Sequence, residues 1–289
     1  MAMQQVGFIG LGMMGTPMAH RLYEAGVALV VQDANAETQD AFVTAHPGSR
    51  PAVGPEAYAR CEAVITMLPD SDVVEAVYAV VAPHLAAGTV VIDMSSSDPN
   101  RTRSLARKLA DRRIVLIDAP VSGGVKKALA GTLAVMVGGD PEAYGRSKKL
   151  LAAMGTNITH VGPVGAGHAL KALNNYVSVA ALIATAEAIH VGHAFGIAPG
   201  TIVDVINAST GRNNTTENKA HQFMLSGAFN SGFSLALAAK DVGIAGALGP
   251  SLGHRMVLAQ HVREMATEAS HLLGPMADHT ELYRYVEKE

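Results

Sequence analysis

A glycine-rich turn, Gly10-Leu11-Gly12-Met13-Met14-Gly15, joins a short apolar run to a helical pattern, and no other stretch of the 289 residues restricts the fold as strongly. The run before it, Val6-Gly7-Phe8-Ile9, reads as a buried strand. The stretch after it, Pro17-Met18-Ala19-His20-Arg21-Leu22, reads as the first turns of a helix. In that order each glycine has its own use. Gly10 permits the tight turn, Gly12 lets a pyrophosphate approach the backbone, and Gly15 allows the helix to pack closely on the strand. The helix start then offers free N–H groups and the positive end of its dipole to phosphate. Asp33 closes the second apolar run, 23 positions after Gly10, near the spacing at which an acid accepts from a ribose hydroxyl. Such a carboxylate repels a 2′-phosphate, and Ala34-Asn35-Ala36 offers no arginine to pair with one. The expectation is NAD, with NADP less favoured.

The rest of the first half agrees with this start. Ala28–Val31, Ala63–Leu68, Thr89–Asp93, Ile114–Asp118 and Leu133–Val137 are short apolar runs rich in valine and isoleucine. That is how strands buried on both faces read. Helical patterns separate them, such as 72–81 and 99–110. The alternation predicts a doubly wound α/β domain with a mostly parallel sheet. From Gly165 onward only helical patterns remain: a long alanine-rich stretch over about 166–195, then segments beginning at Pro199, Ser234 and Arg255. The expected organisation is a dinucleotide-binding domain over 1–164 and an all-helical domain over 165–289 that opens on the long helix.

Three loops fall at strand ends, where ligands of such sheets bind: Met67-Leu68-Pro69, the serines around Ser96, and Asp118-Ala119-Pro120-Val121-Ser122-Gly123-Gly124. Each alone also reads as a turn. The serine hydroxyl and exposed amides of Ser122-Gly123-Gly124 suit a carboxylate. On the long helix Gly167, Lys171 and Asn175 share one face, and Gly167 is expected to leave room above it. A lysine in apolar surroundings is suited to proton transfer near neutral pH, because desolvation disfavours its charged form; the competing reading is a lysine that snorkels to solvent.

Other chemistries find little support. A net charge of −3 gives no case for nucleic acid or an anionic membrane surface, and an apolar fraction of 49% against 16% charged excludes disorder. A single cysteine, Cys61, excludes an internal disulfide framework and points to a reducing, cytoplasmic compartment. No secretory signal is expected. Glu187, His190 and His193 interrupt the most apolar stretch, so a buried helix is expected there rather than a membrane span. No His-Glu-x-x-His or Gly-x-Ser-x-Gly pattern occurs, and no metal is expected.

Together these elements resemble the β-hydroxyacid dehydrogenase family, whose type member is 3-hydroxyisobutyrate dehydrogenase. Val6 through Ala19 resembles the family's opening motif and Asp118 through Gly124 its substrate-binding motif, continued by Gly131-Thr132-Leu133. Gly167 through Asn175 resembles its Gly-x-x-x-Lys-x-x-Asn-Asn stretch, and Phe233, Leu237, Lys240 and Asp241 its last pattern. The resemblance implies a Rossmann domain joined to a helical domain by the long helix, with the active site in the cleft between them. It implies Lys171 as acid/base, Asn175 placing the substrate, and Ser122, Gly123 and Gly124 binding a small carboxylate substrate. It places Ser96 near the nicotinamide and Lys240 on the cofactor side, and implies a homodimer or homotetramer packed through the helical domain.

The expected reaction is NAD-dependent oxidation of a small 3-hydroxy acid. The alternatives are a semialdehyde or tartronate semialdehyde reductase, an L-threonate-type dehydrogenase, and, from another class, a cofactor-sensing protein without turnover. Two departures bear on the choice. Lys127 stands where relatives commonly carry glycine, which would strain a backbone needing positive φ. Asn213-Asn214-Thr215-Thr216 is polar where some relatives place an aromatic, which leaves room for a hydroxylated acid.

Overall fold

The computed structural model describes residues 5–287, and the chain divides into two compact units, Met1–Lys171 and Ala172–Glu289. In the first unit nine strands form one sheet: β1 (Gln5–Ile9), β2 (Ala28–Gln32), β3 (Arg50–Pro51), β4 (Ala63–Thr66), β5 (Val90–Asp93), β6 (Val115–Asp118), β7 (Val121–Ser122), β8 (Leu133–Gly138) and β9 (Gly155–Gly162). Their order is β3-β2-β1-β4-β5-β6-β8-β7, with β9 paired to β8. All neighbours run parallel except β8, which is antiparallel to β6 and β7. From β1 the chain builds outward first through β2 and then, on the other side, through β4. The loop after β1 therefore lies at the switch point of the sheet, where strand ends diverge and a crevice opens.

Helices α1 (Gly15–Glu24), α2 (Ala36–Ala45), α3 (Ser71–Val81), α4 (Pro99–Ala110), α5 (Gly124–Ala130) and α6 (Pro141–Met154) cover the sheet. Alternate residues of each strand enter two separate cores. Val6 and Phe8 pack with Leu22 and Leu151 on one side, while Ile9, Val30 and Val64 pack with Tyr78 and Leu109 on the other. Burial on both faces is why these strands read as unbroken apolar runs. Strand β9 departs from that pattern. It pairs only with β8 and exposes Thr156, Asn157 and Thr159, so its polar residues carry no apolar signal and it reads as a loop.

The second unit is helical. The long helix α7 (Ala166–Ala194) begins in the first unit and continues into the second, followed by α8 (Pro199–Asn207), α9 (Asn214–Asn218), a π-helical turn at Ala220–Leu225, α10 (Leu235–Ser251), α11 (Val257–Leu273) and α12 (Leu282–Val286). Helix α7 is long and apolar enough to cross a membrane by length and composition, yet only 33% of its most apolar window is buried. The expectation of a buried helix therefore holds for one face only. Val179, Leu182, Ala186 and Ile189 lie in cores, whereas Val177 and Val191 are 62% and 71% exposed.

Asp278 fastens the C-terminal segment to the turn before α10. Its carboxylate accepts from Ser231 Oγ at 2.8 Å, the Gly232 amide at 2.8 Å, the Phe233 amide at 3.3 Å, and the Thr280 amide and hydroxyl at 3.0 and 2.6 Å. Burial alone would push the carboxyl up, but bonds from His279, Thr280 and Ser231 outweigh it and hold it well below the usual range. A depressed acid stabilises the fold above its unfolded pKa near 4, and that stability is lost as pH falls through the folded value. Asp278→Asn should lower stability at pH 7 by on the order of 2 kcal/mol and flatten the acid side of the stability profile. Urea midpoints measured from pH 7 down to 3 check both effects; an unchanged acid limb would contradict this account.

Candidate functional site

The glycine-rich loop has the geometry its sequence predicts. Gly10 adopts φ +98°, and a side chain there would drive into the Met67 carbonyl. Gly15, first residue of α1, lies so close to the Gly10 carbonyl that no Cβ fits. Gly12 differs from both: a Cβ on it would meet nothing within 4 Å. The space above Gly12 is thus open to a ligand, and no side chain caps the start of α1. Thr16 donates its amide to the Gly12 carbonyl at 3.0 Å and Pro17 has none, so the helix start offers an anion the Gly15 amide and the positive end of its dipole. Leu11 is buried, Met14 half-buried, and Met13 70% exposed. These residues fit a dinucleotide pyrophosphate.

Asp33 follows β2 and reaches back to the loop. One carboxylate oxygen accepts the Leu11 amide at 2.6 Å and the other the Asn35 amide at 2.8 Å. The cap of α2 is Asn35, which accepts from the Glu37 and Thr38 amides, so Asp33 is not serving as a helix cap. Each Asp33 oxygen keeps acceptor capacity for a hydroxyl. Beside β2 lies a pocket of about 560 Å³ lined by Gln32, Val73, Ala76 and Val77, which sequence reasoning did not foresee because α3 supplies most of its wall. A flat apolar ring fits such a lining.

The ends of β4, β5 and β6 are tied together by buried polar groups. Register places Asp93 and Asp118 side by side at the ends of β5 and β6. Asp93 accepts from Thr66 Oγ1 at 2.9 Å, Ser97 Oγ at 2.8 Å and the Ser95 amide at 3.1 Å. Ser95 Oγ accepts the Leu68 amide at 2.9 Å. The Met67-Leu68-Pro69 loop and the loop holding Ser96 are thereby one fastened surface, with Ser96 half-buried between two buried serines.

Asp118 turns the same way but grips a helix. Its two oxygens accept the amides of Gly165 at 2.6 Å and His168 at 2.8 Å, the first just before α7 and the second in its first turn. The carboxylate thus caps α7 from a strand end. Burial pushes the Asp118 carboxyl up, while the His168 ring and these amides pull it back. His168 itself is fully buried. Its Nδ1 lies 2.8 Å from Thr102 Oγ1, which donates to the Asp98 carbonyl and so must accept from the ring; its Nε2 faces Asp93 at 3.7 Å. Sequence reasoning missed this group. The only signal was an aspartate closing each of two successive apolar runs.

The role expected of Gly167 is corrected by this packing. A Cβ there would strike the Met136 carbonyl and come within 2.9 Å of an Asp118 oxygen. Gly167 leaves no open room; its missing side chain lets α7 seat against β8 and Asp118. Lys171, one turn on, is half-buried. Asn175 is buried at 8% exposure and donates from its side chain to Asp241 at 2.6 Å. Lys240 Nζ lies 3.7 Å from the other oxygen of Asp241, so Asn175 and Lys240 meet through one carboxylate. Ser122 is half-buried at the end of β7, while Gly123 and Gly124 are exposed with φ +134° and +67°.

Neither departure acts as expected. Lys127 lies inside α5 and is not at positive φ; its stem runs over the Gly123 backbone, which leaves no space for a Cβ there. The polar stretch after Arg212 opens a helix rather than forming a loop. Asn213 caps α9 by accepting from the Thr215 and Thr216 amides, Thr216 bonds back to Asn213, and Thr215 and Thr216 are buried. The Asn213 and Thr216 side chains serve the helix start, whereas Asn214 is exposed and Thr215 Oγ1 is buried without a hydrogen-bond partner. Among the described residues no group of three metal-ligating side chains occurs.

Comparison with known proteins agrees with this arrangement. Residues 5–162 match the family described as the NAD binding domain of 6-phosphogluconate dehydrogenase, and residues 165–286 that described as NAD-binding of NADP-dependent 3-hydroxyisobutyrate dehydrogenase. The chain is 38% identical over 244 residues to a 2-(hydroxymethyl)glutarate dehydrogenase of Eubacterium barkeri, covering 83% of this chain and 81% of that one. It is 38% identical over 252 residues to an NAD-dependent L-serine dehydrogenase of Pseudomonas aeruginosa, covering 84% of each. A solved structure of Mycobacterium tuberculosis 3-hydroxyisobutyrate dehydrogenase with L-serine superposes with a TM-score of 0.92 at 32% identity, over 98% of both chains.

Substitution at Asp118 probes the clamp on α7. Asp118→Asn replaces one of two acceptor oxygens with a donor facing a backbone amide. Loss of a buried bond to a charged acceptor should cost roughly 1.5–3 kcal/mol. Hydrogen exchange should show the first turn of α7 opening more readily while the middle of the helix stays protected. Uniform loss of protection along α7 would argue against a local clamp.

Proposed function

The chain belongs to the 3-hydroxyisobutyrate dehydrogenase-like family of β-hydroxyacid dehydrogenases, NAD(P)-binding oxidoreductases, and on that premise we propose that it oxidises the hydroxyl group of a small 3-hydroxy acid with NAD as acceptor. The observation that carries this reading is the tie between strand ends and helix. Asp118 opens the stretch leading to Ser122, Gly123 and Gly124, and the same carboxylate holds the turn of α7 that precedes Lys171.

When bound, the nicotinamide supplies the hydride acceptor. The chain's own residues do the remainder. In this reading Gly10–Gly15 carry the pyrophosphate and Asp33 accepts from the adenosine ribose. Met67, Leu68, Pro69 and Ser96 form the wall toward the nicotinamide, and the family resemblance assigns Lys240 to the cofactor. The Ser122 hydroxyl and the Gly123 and Gly124 amides take the substrate carboxylate. Lys171 Nζ takes the hydroxyl proton, so that alkoxide character never builds up unshared. Asn175, its amide nitrogen committed to Asp241, orients the substrate oxygen one turn from Lys171. Alignment of this kind and proton transfer are the two contributions the protein makes.

Association of copies through the helical unit is part of the proposal. Val177, Ala184, Ala188, Val191 and Phe195 recur along one outer side of α7 and its C-terminal end, all of them exposed. Light scattering of the purified chain tests it, with a monomer at micromolar concentration counting against it.

Reduction of NAD during incubation with a panel of 3-hydroxy acids tests the activity; no turnover with any acid would overturn it. Lys171→Met should lower kcat by about 10²–10⁴-fold while NAD still binds. A parallel loss of NAD affinity would instead make the lysine structural. NAD should exceed NADP in kcat/KM, since Asp33 faces a 2′-phosphate with like charge, and Asp33→Asn should narrow the gap. Equal use of both cofactors by the unaltered protein would remove Asp33 as the discriminator.

A further inference from the structure

A second set of ionisable groups lies in the helical unit, away from the residues assigned above. Lys219 ends α9, and its carbonyl accepts from both the Phe223 amide at 2.9 Å and the Met224 amide at 3.3 Å. The second of these bonds belongs to the π-helical turn Ala220–Leu225, a backbone form that is rare and recurs at functional sites. The Lys219 ammonium lies 3.0 Å from His279 Nε2 and 3.3 Å from Ser178 Oγ.

Both of those partners are neutral. His279 Nδ1 is 3.1 Å from the Phe233 carbonyl, an acceptor only, so Nδ1 carries the hydrogen and Nε2 accepts from Lys219. Burial, with the Lys219 charge against it, pushes the His279 pKa down. Asp278 Oδ1 lies 3.4 Å from His279 Nδ1, so this anion reaches Lys219 only through the imidazole, and its carboxylate is otherwise taken by Ser231, Gly232, Phe233 and Thr280. Among the described residues no carboxylate oxygen comes within ion-pair distance of Lys219, in contrast to Arg101, which bridges Asp72 and Glu75 on the surface. Burial pushes Lys219 down to about 8, with Asp278 opposing, so near neutral pH most of it remains a cation. A buried cation with no anion in direct contact is costly, and an ammonium has three donors, of which two are placed here.

Position connects this cation to the substrate. Ser178 stands three residues after Asn175 on α7, about 4.5 Å further along the same side of the helix. Phe233, whose carbonyl His279 holds, packs its ring edge-on against the imidazole at 5.3 Å. We propose that Lys219, seated between Ser178 and His279, binds a second carboxylate of the substrate, and that the acid oxidised is therefore a hydroxy diacid rather than a simple hydroxy monoacid. This rests on the dehydrogenase reading above and deepens it.

The test compares a 2-hydroxymethyl-substituted five-carbon diacid with its distal monoamide, which matches it in size and lacks only the second charge. In the unaltered protein kcat/KM for the diacid should exceed that for the amide by about ten- to a hundredfold. Lys219→Met and Lys219→Gln should bring the ratio to about one, and Lys219→Arg should keep it high; a purely structural lysine would lower both substrates together and leave the ratio unmoved. Should the methionine variant fail to fold by circular dichroism, the unaltered protein and the glutamine–arginine pair decide. A ratio near one in the unaltered protein, with the amide and monoacids still turned over, overturns this proposal and leaves the dehydrogenase reading standing. No turnover with any acid overturns both.

Discussion

The carboxylate of Asp118 is the contact on which the arrangement of the first unit turns. It closes a central strand and accepts one amide from the residue just before α7 and one from its opening turn. Those amides need an acceptor in any case, because the first turn of a helix has no internal partners for its N–H groups. A negative charge there also meets the positive end of the helix dipole. The helix that carries Lys171 is therefore anchored to the sheet at its first turn. Two glycines make the approach possible: a side chain at Gly138 would meet Asp118 at 2.6 Å, and one at Gly167 would meet the Met136 carbonyl.

Around that clamp the strand ends form a rigid ledge. Asp93 does for the β4 and β5 loops what Asp118 does for α7, and His168 sits between the two carboxylates with its Nδ1 on Thr102. Buried charges of this kind are tolerated only when their remaining valences are met. Here serine and threonine hydroxyls and backbone amides meet them. The loops bearing Leu68 and Ser96 are thus held by internal bonds that need no ligand.

The helical unit is organised differently. Its cores are built from alanine, valine and leucine on α7, α10 and α11, and its polar groups are gathered at Asp241 and at Asp278–His279–Lys219. Two positions there have uses that their identity alone does not reveal. Asn175 donates to Asp241, and Asn213 and Thr216 form the cap of a short helix.

Local order alone determined a good deal. Gly10–Gly15 between strand and helix, Asp33 at the end of the next strand, and the alternation of apolar runs with helical patterns specify a doubly wound sheet and its phosphate loop, because turn geometry and burial period are written in neighbouring residues. The helical character past Gly165 was legible for the same reason. Strand β9 was not, since a polar edge strand shows neither period. Nor were the meeting of Asp93, Asp118 and His168, the true use of Gly167, or the pairing of Lys219 with His279, which stand 60 positions apart. Those contacts join residues distant in the chain, and only strand register and helix packing bring them within bonding distance.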